Sequence, residues 1–124
     1  MESKTTITSL EESVHNLNSM VQNGQVLEAF EKYYAPNIQL QENHESPLEG
    51  KDACRQHEEA FVNGITEFRK AEVKKVIISD NLAVVEWDFD FTHKDWGTRT
   101  YTQLAVQRWN DEGQIINETF YYNN

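Results

Sequence analysis

Leu82-Ala83-Val84-Val85-Glu86-Trp87-Asp88-Phe89-Asp90-Phe91-Thr92 is the stretch whose alternation is plainest. Successive side chains of a strand point to opposite faces, so Val85, Trp87, Phe89 and Phe91 share one side and Glu86, Asp88 and Asp90 the other. One apolar face and one solvated or interfacial face is the habit of an antiparallel sheet rather than of a parallel one covered on both sides. Asp80-Asn81 before it is a tight turn, preceded by a strand over Glu72 to Ser79. After it, Lys94-Asp95-Trp96-Gly97 and Asn110-Asp111-Glu112-Gly113 read as hairpin connections around a long strand, Thr98 to Trp109, with a last strand from Gln114 to Tyr122.

The first half reads differently. Leu10, Val14, Leu17 and Val21 fall at i, i+4, i+7 and i+11, an apolar stripe along a helix that Asn23-Gly24 ends. Ser9 with Glu12 has the spacing of a capping box at its start. A shorter helix carries Leu27, Phe30, Tyr33 and Tyr34 and stops before Pro36, which disfavours helical geometry at Ala35. Ile38 to Glu42 alternates as a strand, and from Lys51 to about Asn63 a third helix sets Ala53, His57, Phe61 and Ile65 in line. Helices first and strands afterwards predict an α+β domain: three N-terminal helices on a curved, mainly antiparallel sheet.

Composition narrows the function. The chain has 124 residues, the size of one domain, and its apolar fraction is only 38%, but three Trp, five Tyr and six Phe supply large buried areas. With 21 acidic against 11 basic side chains the formal charge is −10, which repels phosphate backbones and anionic lipid, so neither nucleic acid nor a membrane is an expected partner. A single cysteine, Cys54, permits no intrachain disulfide, and no stretch reads as a signal peptide or a membrane span, so a cytoplasmic location is expected. The four histidines have no metal-ligand spacing, and no metal or cofactor is expected.

Tyr34-Ala35-Pro36-Asn37 leading into a strand, Leu48-Glu49-Gly50-Lys51-Asp52-Ala53 opening a helix, and Val106-Gln107-Arg108-Trp109 followed by Gly113-Gln114-Ile115-Ile116 resemble stretches of the SnoaL-like family, within the nuclear-transport-factor-2-like superfamily. The resemblance spans about residues 8 to 122 and implies a single SnoaL-like domain over 1–124, cone-shaped and built around one pocket for a small organic molecule. A fold of this kind hosts many chemistries, so function has to be argued from the pocket itself.

Glu42 shares a strand face with Ile38 and Leu40, where burial would raise its pKa and suit it to general acid–base work; the alternative is a carboxylate solvated at the strand end. The resemblance adds that related steroid ketone isomerases carry their catalytic carboxylate at this point. His57, on the apolar stripe of the third helix, is either a packing residue or a proton relay in the pocket wall that the family builds from that helix. Glu118 alternates with Ile116, Phe120 and Tyr122; it either faces Glu42 across the cavity or pairs with Arg108 or Lys74 on an exposed face. Trp87, Phe89 and Tyr122 are core aromatics that the family's curvature makes pocket wall, and Tyr33 and Phe61 of the helices join the expected ligand contacts. The resemblance also turns Gln103 and Gln107 inward, although Leu104 and Val106 argue that the opposite face is covered too.

The same isomerases hold an oxyanion with a tyrosine in the first helix and an aspartic acid in the long strand, where this chain has Leu17 and Ala105, so steroid-type isomerisation is not expected. The expected functions are therefore a cofactor-independent cyclase, isomerase or hydratase with Glu42 and His57 as catalytic residues, a binding module without turnover, or a protein-association domain. The apolar residues on both faces of the long strand predict a homodimer through the sheet's outer face.

Overall fold

The computed structural model describes residues 2–123, with side chains from Leu10 onward. Helix α1 (Glu2–Gln22) buries Leu10, Val14 and Leu17 of the predicted stripe and leaves Val21 half-buried. It begins upstream of Ser9, so the capping box expected there is not a helix start, and the Ser9 side chain lies outside the described residues. Helix α2 (Val26–Tyr33) buries Ala29, Phe30 and Tyr33 and gives way at once to strand β1 (Tyr34–Glu42), so Tyr34 belongs to the strand and not to the helix. A turn and the short β2 (Leu48–Glu49) lead into α3 (Lys51–Gly64). The remaining strands are β3 (Ile65–Ser79), β4 (Leu82–His93), β5 (Gly97–Trp109) and β6 (Ile115–Tyr122).

One six-stranded sheet holds them in the order β2-β1-β6-β5-β4-β3. Every neighbouring pair is antiparallel except β1 with β6, which run parallel. Strand β3 starts well before the predicted Glu72. Its pairing with β4 slips between Ile65 and Glu67, Phe68 and Lys70, and Val73 and Lys75, and each slip breaks the alternation that would mark a strand in the sequence. The same bulges bend the strand and let the sheet curve around the helices. At the hairpins, Gly97 (φ 75°) and Gly113 (φ 78°) take left-handed backbone that a side chain would resist.

The faces of β5 are now distinct. Gln103, Ala105, Gln107 and Trp109 point inward and are buried, while Leu104 is 41% exposed on the outer face. In β6 a bulge opposite Arg108–Trp109 aligns Ile115, not Ile116, with Trp109. Ile115 is therefore fully buried, and the expected alternation of Ile116 with Glu118 fails at that point. The core joins α1 and α2 to the sheet through Val14, Phe30, Ile38, Val85, Trp109 and Ile115. Where α3 meets β4, Gly64 packs directly on the His93 imidazole, and an added Cβ would collide with the ring. Among the described residues no helix is long and apolar enough to cross a membrane.

Candidate functional site

Between the helices and the concave side of the sheet lies a cavity of about 590 Å3. Its sheet wall is largely a run of aromatic rings, because inward positions of adjacent strands stand beside one another. Trp87 stacks on Phe89 at 5.2 Å, Phe89 meets Tyr101 at 5.7 Å, and Tyr101 meets Tyr122 at 5.3 Å. Phe61 of α3 continues the wall to Trp96 of the β4–β5 hairpin, 6.0 Å away. Such a surface is apolar over most of its area with a few polar groups inserted, the usual make-up of a small-molecule pocket.

Glu42 and His57 do meet. The Nε2 of His57 hydrogen-bonds a Glu42 oxygen, and the Tyr122 hydroxyl donates to the other. The register explains this: Glu42 at the end of β1 pairs with Phe120 of β6, and α3 packs over β1. These bonds decide the electrostatics of the pair. The His57 hydrogen bond outweighs desolvation and lowers the Glu42 pKa, contrary to the rise expected from burial alone. In return the Glu42 carboxylate raises the His57 pKa. Both side chains stay partly exposed, at 28% and 39%, so this pair occupies the wetter part of the cavity.

Deeper in sits Glu118, 2% exposed. It makes no pair with Arg108 or Lys74; Lys74 lies instead near Glu72 and Asp88. Tyr34 donates its hydroxyl to one Glu118 oxygen, and the Gln107 amide donates to the other at 2.8 Å. Trp109 Nε1 donates to the Gln107 carbonyl at 3.2 Å, which fixes the amide with its NH2 towards Glu118. All the partners are neutral, and burial pushes the Glu118 carboxyl up to about 7 in spite of the two hydrogen bonds.

Of the two places the sequence offered Glu118, opposite Glu42 or in an exposed ion pair, the cavity is nearer the outcome, but the carboxyl that feels Glu118 is Glu58, also in the cavity lining. Burial first, then the Glu118 charge, push Glu58 up to about 7 as well. Glu58 was missed because the α3 stripe was read through Ala53, which is exposed. The inward line starts one residue later, at the fully buried Cys54, and runs at i+4 and i+7 through the half-buried Glu58 and Phe61, both in the cavity lining. Asn18 was missed likewise. It stands at i+4 from Val14, on the buried face of α1, is 3% exposed, lines the cavity, and neither its amide nitrogen nor its oxygen has a partner among the described residues.

Of the other expected ligand contacts, Phe61, Trp87, Phe89, Gln103, Gln107 and Tyr122 line the cavity. Tyr33 does not. At the end of α2 its ring packs edge-on to Trp109 at 5.8 Å and its hydroxyl accepts from Asn16, while Tyr34 takes the inward place. Leu17 and Ala105 both line the cavity as apolar groups, so the two positions offer no oxyanion donor. Among the described residues no group of three or more His, Cys, Asp or Glu side chains is arranged to hold a metal ion.

No curated protein matches the chain significantly. Solved structures do. A protein of Mesorhizobium loti, described as a candidate SnoaL-like polyketide cyclase with carbohydrate phosphatase in brackets, is 25% identical. Its TM-score is 0.80, with 90% of this chain and 97% of that one covered. A candidate SnoaL-like polyketide cyclase of Jannaschia is 13% identical with a TM-score of 0.79, covering 94% and 86%. A candidate isomerase of Bacillus subtilis is 15% identical with a TM-score of 0.69, covering 95% and 88%. The profile of the SnoaL-like domain matches residues 8–122. With three helices on a curved sheet and solved relatives of the same architecture, that match shows that the chain belongs to the SnoaL-like family, in the nuclear-transport-factor-2-like fold.

Proposed function

We propose that the cavity binds a small organic molecule and moves a proton on it, as a cyclase, isomerase or hydratase would, with side-chain acids and bases as the working groups. The observation that carries this is the placing of two carboxyls, the buried Glu118 and the half-buried Glu58, in one aromatic cavity, each pushed up to about 7 by desolvation. A carboxyl poised there exchanges a proton at neutral pH in either direction, which is the condition for general acid–base catalysis. Glu42 acts through His57: it orients the imidazole and favours its charged form, and His57 is the second proton carrier. The M. loti and B. subtilis proteins are described as a candidate cyclase and a candidate isomerase, and reactions of that kind turn on proton transfer.

The test uses a flat, neutral, enolisable probe, 2-tetralone, in D2O. The protein is expected to speed deuterium incorporation beside the carbonyl, and Glu118→Gln to remove most of the gain, since a positioned acid or base contributes ~100- to 10,000-fold. Incorporation no faster than in buffer of the same pH overturns the catalytic reading. The alternative is then a binding module without turnover.

A second reading concerns assembly and rests on the outer face of the sheet. Ile77, Val84 and Val106 lie in one cross-strand row, and Leu104 pairs with Tyr121 in the next. Ile77, Leu104 and Tyr121 are 56%, 41% and 45% exposed. A second copy of the chain would cover this patch. Of the outer-face acids Glu86, Asp88 and Asp90, which would repel their copies across such an interface, two have a cation beside them: Arg69 bonds Asp90 at 2.9 Å and Lys74 stands 3.9 Å from Asp88, while Glu86 has no ion pair among the described residues.

A further inference from the structure

We infer that the cavity selects a small organic cation, a protonated amine on a flat apolar body, with Glu58 and Glu118 as its counter-charges and the Asn18 carboxamide as a further polar contact. The inference rests on the reading of the cavity as a small-molecule site and adds the charge of the molecule.

Charge in the lining is one-sided. Four glutamates, Glu42, Glu45, Glu58 and Glu118, stand against Arg99 and His57. Both cationic groups are engaged: His57 is bonded to Glu42, and the Arg99 guanidinium lies over the Tyr101 ring at 5.2 Å. Glu118 is held only by neutral donors, and Glu58 has no hydrogen-bond or ion-pair partner among the described residues. Glu118 is enclosed and Glu58 half-buried, and the one cation near Glu58 is His57, already bonded to Glu42, so without a ligand cation both ionise at a desolvation cost and hold their protons towards neutrality. A ligand ammonium supplies the missing charge.

Two further features point the same way. Aromatic rings carry negative potential over their faces, and the contiguous run Trp87, Phe89, Tyr101 and Tyr122 in the lining, on one ring of which the Arg99 guanidinium already rests, makes a wall that suits a cation better than an anion. Asn18 leaves both an acceptor and a donor unused in a buried position, and unused buried polar atoms mark where a ligand's hydrogen bonds go. An anion would meet acids and ring faces together. A neutral molecule would gain the apolar wall and leave the two carboxyls as they were.

The site also predicts what binding does to protons. Glu58 is faced by Glu118, Glu42 and His57, with Tyr34 and Cys54 nearby, and Glu118 by Tyr34, Gln107 and Glu58; none of these supplies a free positive charge to the two carboxyls. An arriving ammonium therefore ionises them and expels protons to solvent, whereas a carboxylate ligand would draw protons in. The carboxyls are thereby changed from acids to bases by the ligand itself.

Titration calorimetry of the intact chain at pH 7 with tryptamine, tryptophol and indole-3-propionate tests this, because the three share one ring and differ in charge. Each titration is run in phosphate and in Tris, whose different ionisation heats report proton exchange. Tryptamine is expected to bind at least tenfold tighter than tryptophol, with proton release, and indole-3-propionate to bind weakest. In Glu58→Gln and Glu118→Gln both the preference and the release should shrink; the buffer comparison on the unmodified chain stands even if a variant folds poorly. Tryptophol matching tryptamine, proton uptake with tryptamine, or no tryptamine binding at millimolar concentration overturns the inference. Any of these can occur while 2-tetralone exchange persists, so the cation preference and the proton-transfer reading fail separately.

Discussion

At the scale of single residues, the contrast between Glu42 and Glu118 shows what decides a carboxyl's chemistry. Both occupy inward strand positions, but one has an imidazole and a hydroxyl for company and the other only neutral donors. The first is held below its ordinary range and the second well above it. Glu42→Gln should accordingly lower the His57 pKa, since its raising hydrogen bond and charge are lost while desolvation, which lowers it, remains. A proton NMR titration of the imidazole reads this directly, and an unchanged or higher midpoint contradicts the pairing. The sequence disclosed that Glu42, His57 and Glu118 were polar groups on apolar faces. It did not disclose their partners, because a one-residue rotation of α3 separates a stripe through Ala53 from one through Cys54, and only the second brings in Glu58.

Elements were legible where the pattern is regular and lost where it is not. The run from Leu82 to Thr92 gave β4 almost to the residue, because unbroken alternation has one interpretation. The early part of β3 escaped, and in β6, whose bounds were read to within a residue, the facing of Ile115 and Ile116 did, since a bulge shifts the period by one and leaves no mark in composition. The bulge in β6 has an energetic consequence. It turns Ile115 into the core, fully buried, and leaves its neighbour Ile116 only partly so. Ile115→Ala should therefore destabilise the chain by ~2–5 kcal/mol, as for other large-to-small changes at closed sites. Ile116→Ala should do clearly less. Urea unfolding of the two variants checks the order, and equal losses would place the bulge elsewhere.

For the whole molecule, the cavity acids tie stability to pH. Glu58 and Glu118 hold protons more tightly folded than unfolded, so between about 4.5 and 7 the native chain carries more protons and its stability falls as pH rises. Each carboxyl accounts for roughly 3 kcal/mol at most. Glu42 acts oppositely, contributing above the ordinary carboxylate range and losing that contribution on acidification. The His57 contribution is present below its ordinary pKa and fades as pH passes its raised one. The melting temperature should be higher at pH 5.5 than at pH 8, and the Glu58→Gln, Glu118→Gln double variant should flatten that fall; a rise from 5.5 to 8 would refute it. The outer face gives a second test at this scale. Light scattering at micromolar concentration should return about twice the 14.5 kDa chain mass, and Leu104→Lys should halve it; a monomer before substitution disposes of the dimer.

The parallel pairing of β1 with β6 has a kinetic side. Tyr34 and Glu118 stand 84 residues apart in the chain, and their contact closes the deep end of the cavity. Local hairpins such as β3–β4 and β4–β5 need only short loops, whereas this seam must gather nearly the whole sequence first, and distant contacts form slowly. The pocket is thus expected to be the last thing the chain acquires, with the hairpins assembled while the two acids are still in water. Pulse-labelled hydrogen exchange during refolding should protect the β4–β5 amides before those joining β1 to β6. Simultaneous protection would mean that sheet and cavity are born together.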